Sequence, residues 1–109
     1  LTSFYVAEAD GRIIGFSAGA IEDTDEEKYG HVCNIAVTPE MRGFGIGRLL
    51  LRKVERDFFL EGCRACSLEV RKSNTNAHGF YERLDYADVL VFGGYYSDGE
   101  DAIVMMRWF

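Results

Sequence analysis

Three glycines at alternate positions, Gly43, Gly45 and Gly47, stand directly before the longest amphipathic run, in "PEMRGFGIGRLLLRKVERDFF", Pro39 to Phe59. Glycine inside a helix costs about 1 kcal/mol relative to alanine. Their placement therefore predicts a glycine-lined turn opening onto a helix, with something approaching the backbone more closely than a side chain would permit. The first amides of a helix lack intrahelical partners and carry partial positive charge. Glycine amides there let an anion lie on the helix end, and Arg42 and Arg48 add charge. A tight turn with no ligand is the simpler use of the same residues. Beyond the turn, apolar positions 46, 49, 50, 54 and 58 keep the 3.6-residue period. Arg48, Arg52, Lys53, Glu55, Arg56 and Asp57 mostly populate the other face, and Glu61-Gly62 supplies a glycine stop.

The segments on either side read as strands. Ser3 to Ala9 alternates, Asp10-Gly11 is a two-residue hairpin signal, and Ile13 to Glu22 is the returning strand. Gly15, Ala18 and Gly19 in that strand predict a bulge or close packing. "DTDEEK" is a charged loop without the twelve-residue calcium pattern. Tyr29 to Pro39 is a third strand, with Pro39 ending its ladder, and Arg64 to Val70 a fourth. In the fourth, Cys66, Leu68 and Val70 share one face, and Ala65, Ser67 and Glu69 the other. A second helix begins near Thr75, and "ADVLVFGGYY" and "EDAIVMMRWF" are two more strands around "SDGE". A strand–helix–strand unit over 30–70 implies a right-handed parallel crossover, and the flanking hairpins imply antiparallel edges. The expected class is α/β, a mixed sheet in one domain spanning 1–109.

Composition narrows the function. At 48% hydrophobic, with eight Phe, six Tyr and one Trp, 109 residues can bury a core of their own. The formal charge of −6 argues against a nucleic-acid partner, which needs a basic face, and suits a positively charged one. No apolar run approaches the roughly 20 residues of a membrane span, so no membrane partner is expected. Three cysteines, an odd number without scaffold spacing, read as reduced thiols in a cytoplasmic protein. Cys63-x-x-Cys66 lacks the four ligands of a structural zinc site, and no metal is expected. His31 reads as a core or surface residue, and His78 as a surface residue of its helix.

The glycine segment fits poorly with two familiar phosphate loops. A nucleotide P-loop needs GxxxxGK and then Ser or Thr, and no lysine is in place. A dinucleotide fingerprint needs GxGxxG, whereas position 48 is Arg. The third reading is Arg-x-x-Gly-x-Gly, Arg42 through Gly47, after a strand ending in "AVTP". In that form "NIAVTPEMRGFGIGRLLL" resembles the core strand and pyrophosphate loop of the GNAT N-acetyltransferases. "LEVRKSNTNAHGFYERLDY" resembles their next strand and helix. "GGYYSDGEDAIVMM" resembles the closing hairpin of the N-terminal acetyltransferases, in particular the RimI-like and type-A catalytic subunits, archaeal versions included. The three motifs cover Gly30 to Met106 in order. Asp85 departs from the pattern, which usually has glycine there; an altered turn with no loss of chemistry is expected.

The resemblance implies a GNAT-like, mostly antiparallel sheet with a central parallel β-α-β unit, here lacking the N-terminal strand and two helices. On that frame the domain is N-terminally incomplete. Its cofactor half would be whole and its substrate half not, and pairing with a second copy through the exposed edge is a further expectation. The implied activity is transfer of acetyl from acetyl-CoA, leaving CoA, to the N-terminal α-amine of a protein or peptide, including ribosomal proteins. A small-molecule amine, a lysine side chain, or a CoA-binding module without catalysis are the alternatives. By the resemblance, the backbone of Ile35, Ala36 and Val37 pairs with the pantetheine arm. Arg42, Gly43, Phe44, Gly45, Ile46, Gly47 and Arg48 hold the pyrophosphate, and Asn74 contacts the CoA arm. Glu69 is the general base, Tyr81 the general acid to sulfur, and Tyr95 and Tyr96 pack over the substrate's first residues.

Overall fold

Asp10 and Gly11 both have positive φ, 51° and 75°, which is the backbone of a type I′ hairpin turn. The turn joins β1 (Ser3–Ala9) to β2 (Arg12–Asp23) in antiparallel register. The computed structural model describes residues 2–109. Its remaining elements are β3 (Lys28–Val37), a 3-10 turn (Pro39–Met41), α1 (Ile46–Leu60), β4 (Ala65–Arg71), α2 (Thr75–Arg83), β5 (Ala87–Phe92) and β6 (Ala102–Trp108). The class is α/β: six strands, mostly antiparallel with one parallel pair, and two helices. The chain forms two compact units, one running through Cys66 and including Phe109, the other Ser67–Trp108.

In the first unit the strand order is β1-β2-β3, and α1 packs on all three. The helix comes so close because β2 and β3 carry glycines beneath it. A Cβ at Gly19 would lie 2.6 Å from Phe58 Cζ, and one at Gly30 would collide with the same ring. Phe58, Leu51 and Val54 are fully buried as a result. The expected apolar stripe is rotated: Leu49 is exposed, while Leu51 and Glu55 are buried. The buried face is turned away from positions 46 and 49 toward 51 and 55, and Glu55 is buried with Arg52 at 2.7 Å. The bulge between β2 and β3 places the extra residue, Cys33, on β3, because Ala18 and Gly19 face Asn34 and Val32. At the helix end Gly62 has φ 89°. Its amide donates to Phe59 O, and that of Cys63 to Phe58 O, each at 3.0 Å, the paired bonds of a Schellman stop.

In the second unit the order is β4-β6-β5, with β5 and β6 antiparallel. The strands flanking "SDGE" are shorter than their sequence suggests. β5 ends at Phe92 and β6 begins at Ala102, because Gly94 and Gly99 take positive φ and turn the chain. Tyr95 and Tyr96 therefore lie on a connecting loop. Asn74 is the N-cap of α2, its side chain accepting from Ala77 N at 3.1 Å.

Candidate active site

The first unit carries the glycine segment. β3 leaves its bulge at Cys33 and pairs Ile35, Ala36 and Val37 with Ser17, Phe16 and Gly15. Thr38 N then donates to Ile14 O at 2.8 Å, and the Pro39–Met41 turn carries the chain away. Arg42 folds back, its Nε donating to Val37 O at 3.2 Å. Gly43 and Gly45 have φ 87° and 80°, and a Cβ at either would meet nothing within 4 Å. The left-handed backbone, rather than crowding by the protein, reserves both positions for glycine.

Gly45 is the N-cap of α1, so no side chain caps this helix, and its first turn holds no acidic residue. The amides of Ile46, Gly47 and Arg48 are consequently presented at the helix start without a capping oxygen. Arg42, Phe44 and Arg48 are exposed around them. Uncapped amides beside two guanidinium groups form a donor set that fits a diphosphate.

The second unit carries the titratable groups. Glu69 sits on β4, and the Tyr95 hydroxyl donates to its Oε1 at 3.1 Å. The charge of Glu69 and that hydrogen bond push the Tyr95 phenol up. Tyr95 meets Phe92 and Tyr96 edge-on, with ring centroids at 5.2 and 5.0 Å. Tyr96 in turn lies under Arg71, whose guanidinium carbon is 4.0 Å from the ring centroid.

Arg71 is a part of the arrangement that the sequence reading did not single out. It pairs with Asp98 at 2.8 Å and with Glu100 at 3.1 Å. Glu100 also accepts from Ser73 N at 2.8 Å, and Asp101 Oδ1 from Gly94 N at 2.9 Å. The loop bearing both tyrosines is thus tied to the end of β4. Hydrogen bonds from Ser73 and Arg71 hold the Glu100 carboxyl below the usual range. The available signal was period 2, which puts Arg71 on the same face of β4 as Glu69, opposite an acidic turn.

Tyr81 lies on α2, its ring beside Phe80 and Tyr86 at centroid distances of 5.1 and 5.7 Å. Burial pushes its phenol up to about 12. Its place is set by the end of α2. Tyr86 N donates to Tyr81 O and Asp85 N to Glu82 O, each at 3.1 Å, with Asp85 at φ 75°. This is again a Schellman stop, with Asp85 in the position that favours glycine. Asn74 accepts from Ala77 N with its Oδ1 as the α2 cap. His78, expected on the surface, is half-buried between Asp88 (Nε2 to Oδ1, 2.7 Å) and Glu82 (Nδ1 to Oε1, 3.4 Å). Cys63 and Cys66 are buried thiols, and His31 Nδ1 is 3.8 Å from Cys33 Sγ.

Comparison with known proteins gives the class of the chain. Residues 2–86 match the family model described as the acetyltransferase (GNAT) family. The chain belongs to that family. It is 44% identical over 105 residues to an uncharacterized N-acetyltransferase of Methanocaldococcus jannaschii, covering 95% of this chain and 65% of the relative. It is 37% identical over 114 residues to the N-alpha-acetyltransferase of Sulfurisphaera tokodaii, covering 94% and 67%. The solved structure of Chaetomium thermophilum Naa20 in complex with a bisubstrate analogue superposes with a TM-score of 0.93 at 31% identity, covering 97% of this chain and 65% of that one. The chain thus spans about two thirds of the length of the relatives it matches. Among the described residues no helix is long and apolar enough to cross a membrane.

Proposed function

We propose that this chain is the catalytic part of a cytoplasmic N-acetyltransferase that moves acetyl from acetyl-CoA to the N-terminal α-amine of a protein or peptide. The observation that carries the reading is the uncapped start of α1 behind the Gly43–Gly45 turn, a donor set built for a diphosphate. Ile46, Gly47 and Arg48 amides, with Arg42 and Arg48, would hold that diphosphate. The backbone of Ile35 to Val37 and the Asn74 amide would address the arm. Acetyl-CoA, when bound, supplies an activated acyl group on sulfur.

The chain's own residues supply the proton handling. Glu69 accepts a proton from the attacking amine. Tyr81 keeps its proton at Oη well above neutral pH, since burial disfavours the phenolate, and so remains a donor for the departing sulfur. Tyr95 and Tyr96, held by the Arg71 cluster, offer an aromatic wall to the substrate's first residues. A peptide α-amine has a pKa near ~8, whereas a lysine amine near ~10.4 costs about 3 kcal/mol more to deprotonate. One carboxylate is therefore a better match to the α-amine. The similarity to a relative named N-alpha-acetyltransferase supports the same choice, and a ribosomal protein is one candidate substrate within it.

The test is a peptide panel with free and blocked α-amines, assayed in the full-length protein. Free α-amines should be acetylated and blocked ones carrying an internal lysine should not. Acetylation of the lysine or of small amines alone would replace the reading with a different amine class. Glu69→Gln should lower kcat by about 10²-fold or more, and Tyr81→Phe similarly, with Kd for CoA unchanged. Unchanged rates would remove the two assigned roles.

A further inference from the structure

Tyr95 enters the proposed reaction as a wall for the substrate, yet its hydroxyl points elsewhere. It donates to Oε1 of Glu69 at 3.1 Å, across 26 residues of sequence. The ring is fixed on both sides, by Phe92 at 5.2 Å and Tyr96 at 5.0 Å. Tyr96 is fixed by Arg71, and Arg71 by Asp98 and Glu100. The hydroxyl is therefore not a free rotor; the loop that carries it is anchored to β4, the strand that carries Glu69.

We propose that Tyr95 is a positioning residue for Glu69, holding the carboxylate in one orientation and as the anion through the Tyr95 Oη to Glu69 Oε1 hydrogen bond. This rests on the reading of Glu69 as the general base. A carboxylate on a strand has several rotamers, and only some present a lone pair to an incoming amine. A donor on Oε1 selects among them. Hydrogen bonding to the charged form favours that form, so it also extends the range over which Glu69 is ready as a base. The charges that act on the tyrosine pair are those of Glu69 and Arg71 from β4 and of Glu100 from the loop's far end.

Tyr95→Phe removes the hydroxyl and keeps the aromatic stack, so a mere packing role would survive it. The expected result is a fall in kcat of about tenfold, a share of what a general base provides, with little change in peptide KM. The acid limb of the kcat/KM profile should move to higher pH by about half a unit to one unit, because the neutral carboxyl is no longer disfavoured. In the Glu69→Gln background the same substitution should have almost no further effect on kcat. A carbon-detected NMR titration of the Glu69 carboxyl, which needs no turnover, should show the same upward move. If the titration moves but neither variant affects rate, the contact stands and the base assignment fails. If the titration is unmoved, or Tyr95→Phe raises KM alone, or it costs as much without Glu69 as with it, the positioning role is overturned.

Discussion

Asp85 occupies the C′ position of α2 at φ 75°, where a residue with a Cβ is strained. Aspartate tolerates the left-handed region better than most residues, but the conformation still costs of order 1 kcal/mol. Asp85→Gly is therefore expected to stabilise the protein by about 1 kcal/mol, read as a higher Tm in thermal unfolding, with kcat unchanged. The departure from the family pattern was visible in the sequence, and its consequence was not. The sequence suggested an altered turn, whereas the structure keeps the stop and places Asp85 in it under strain. The same stop seats Tyr86 against Tyr81 at 5.7 Å, which links a turn residue to the candidate acid. Glu69, Tyr81 and the two tyrosines could be proposed from the sequence because each sits in a motif of fixed local spacing. The bond between Tyr95 and Glu69 was not, since nothing within either motif encodes a contact 26 positions away.

At the scale of elements, α1 is held to the first three strands by two kinds of contact. One is steric, the Phe58 ring over Gly19 and Gly30. The other is polar: Asp57 accepts from Ser3 Oγ and Tyr5 Oη, each at 2.7 Å. The Ser3 hydrogen bond, with help from Tyr5, holds the Asp57 carboxyl below the usual range. A depressed folded-state pKa gives stability that is present above the unfolded value near ~3.9 and lost as pH falls through the lower folded value. Asp57→Asn should therefore cost about 0.5–1 kcal/mol near neutral pH, the scale of a solvent-screened charged contact. The gap to the wild type should close below about pH 4. Urea unfolding at a series of pH values checks this, and a gap that persists at acid pH would show that Asp57 acts through packing. The order and type of the six strands and two α-helices followed from periodicity and turn residues. The rotation of the α1 stripe did not, because a 3.6-residue period allows neighbouring faces and the three-strand surface beneath selects one.

For the molecule as a whole, net charge is the property that sequence alone fixes and function feels directly. On the proposed function, the charge of −6 on this chain would favour cationic substrates through long-range attraction that salt screens. Peptides with lysine or arginine after the first residue should show a KM that rises several-fold between low salt and about 0.5 M. The KM of neutral peptides should stay flat, and equal responses would remove the electrostatic contribution. Family membership was also within reach of the sequence, because the glycine turn, the fourth strand with its helix and the closing hairpin keep their residue spacing wherever the rest of the fold goes. By itself the sequence determined the α/β class, the element order and the glycine turn at the head of α1, all of which depend on neighbours within a few residues. Only the tertiary structure decided where the bulge falls on β3, which side of α1 is buried and which carboxylate Tyr95 meets. Those outcomes depend on how distant segments share space, and a hydrogen bond or a ring contact is made only when folding brings its partners within a few ångströms.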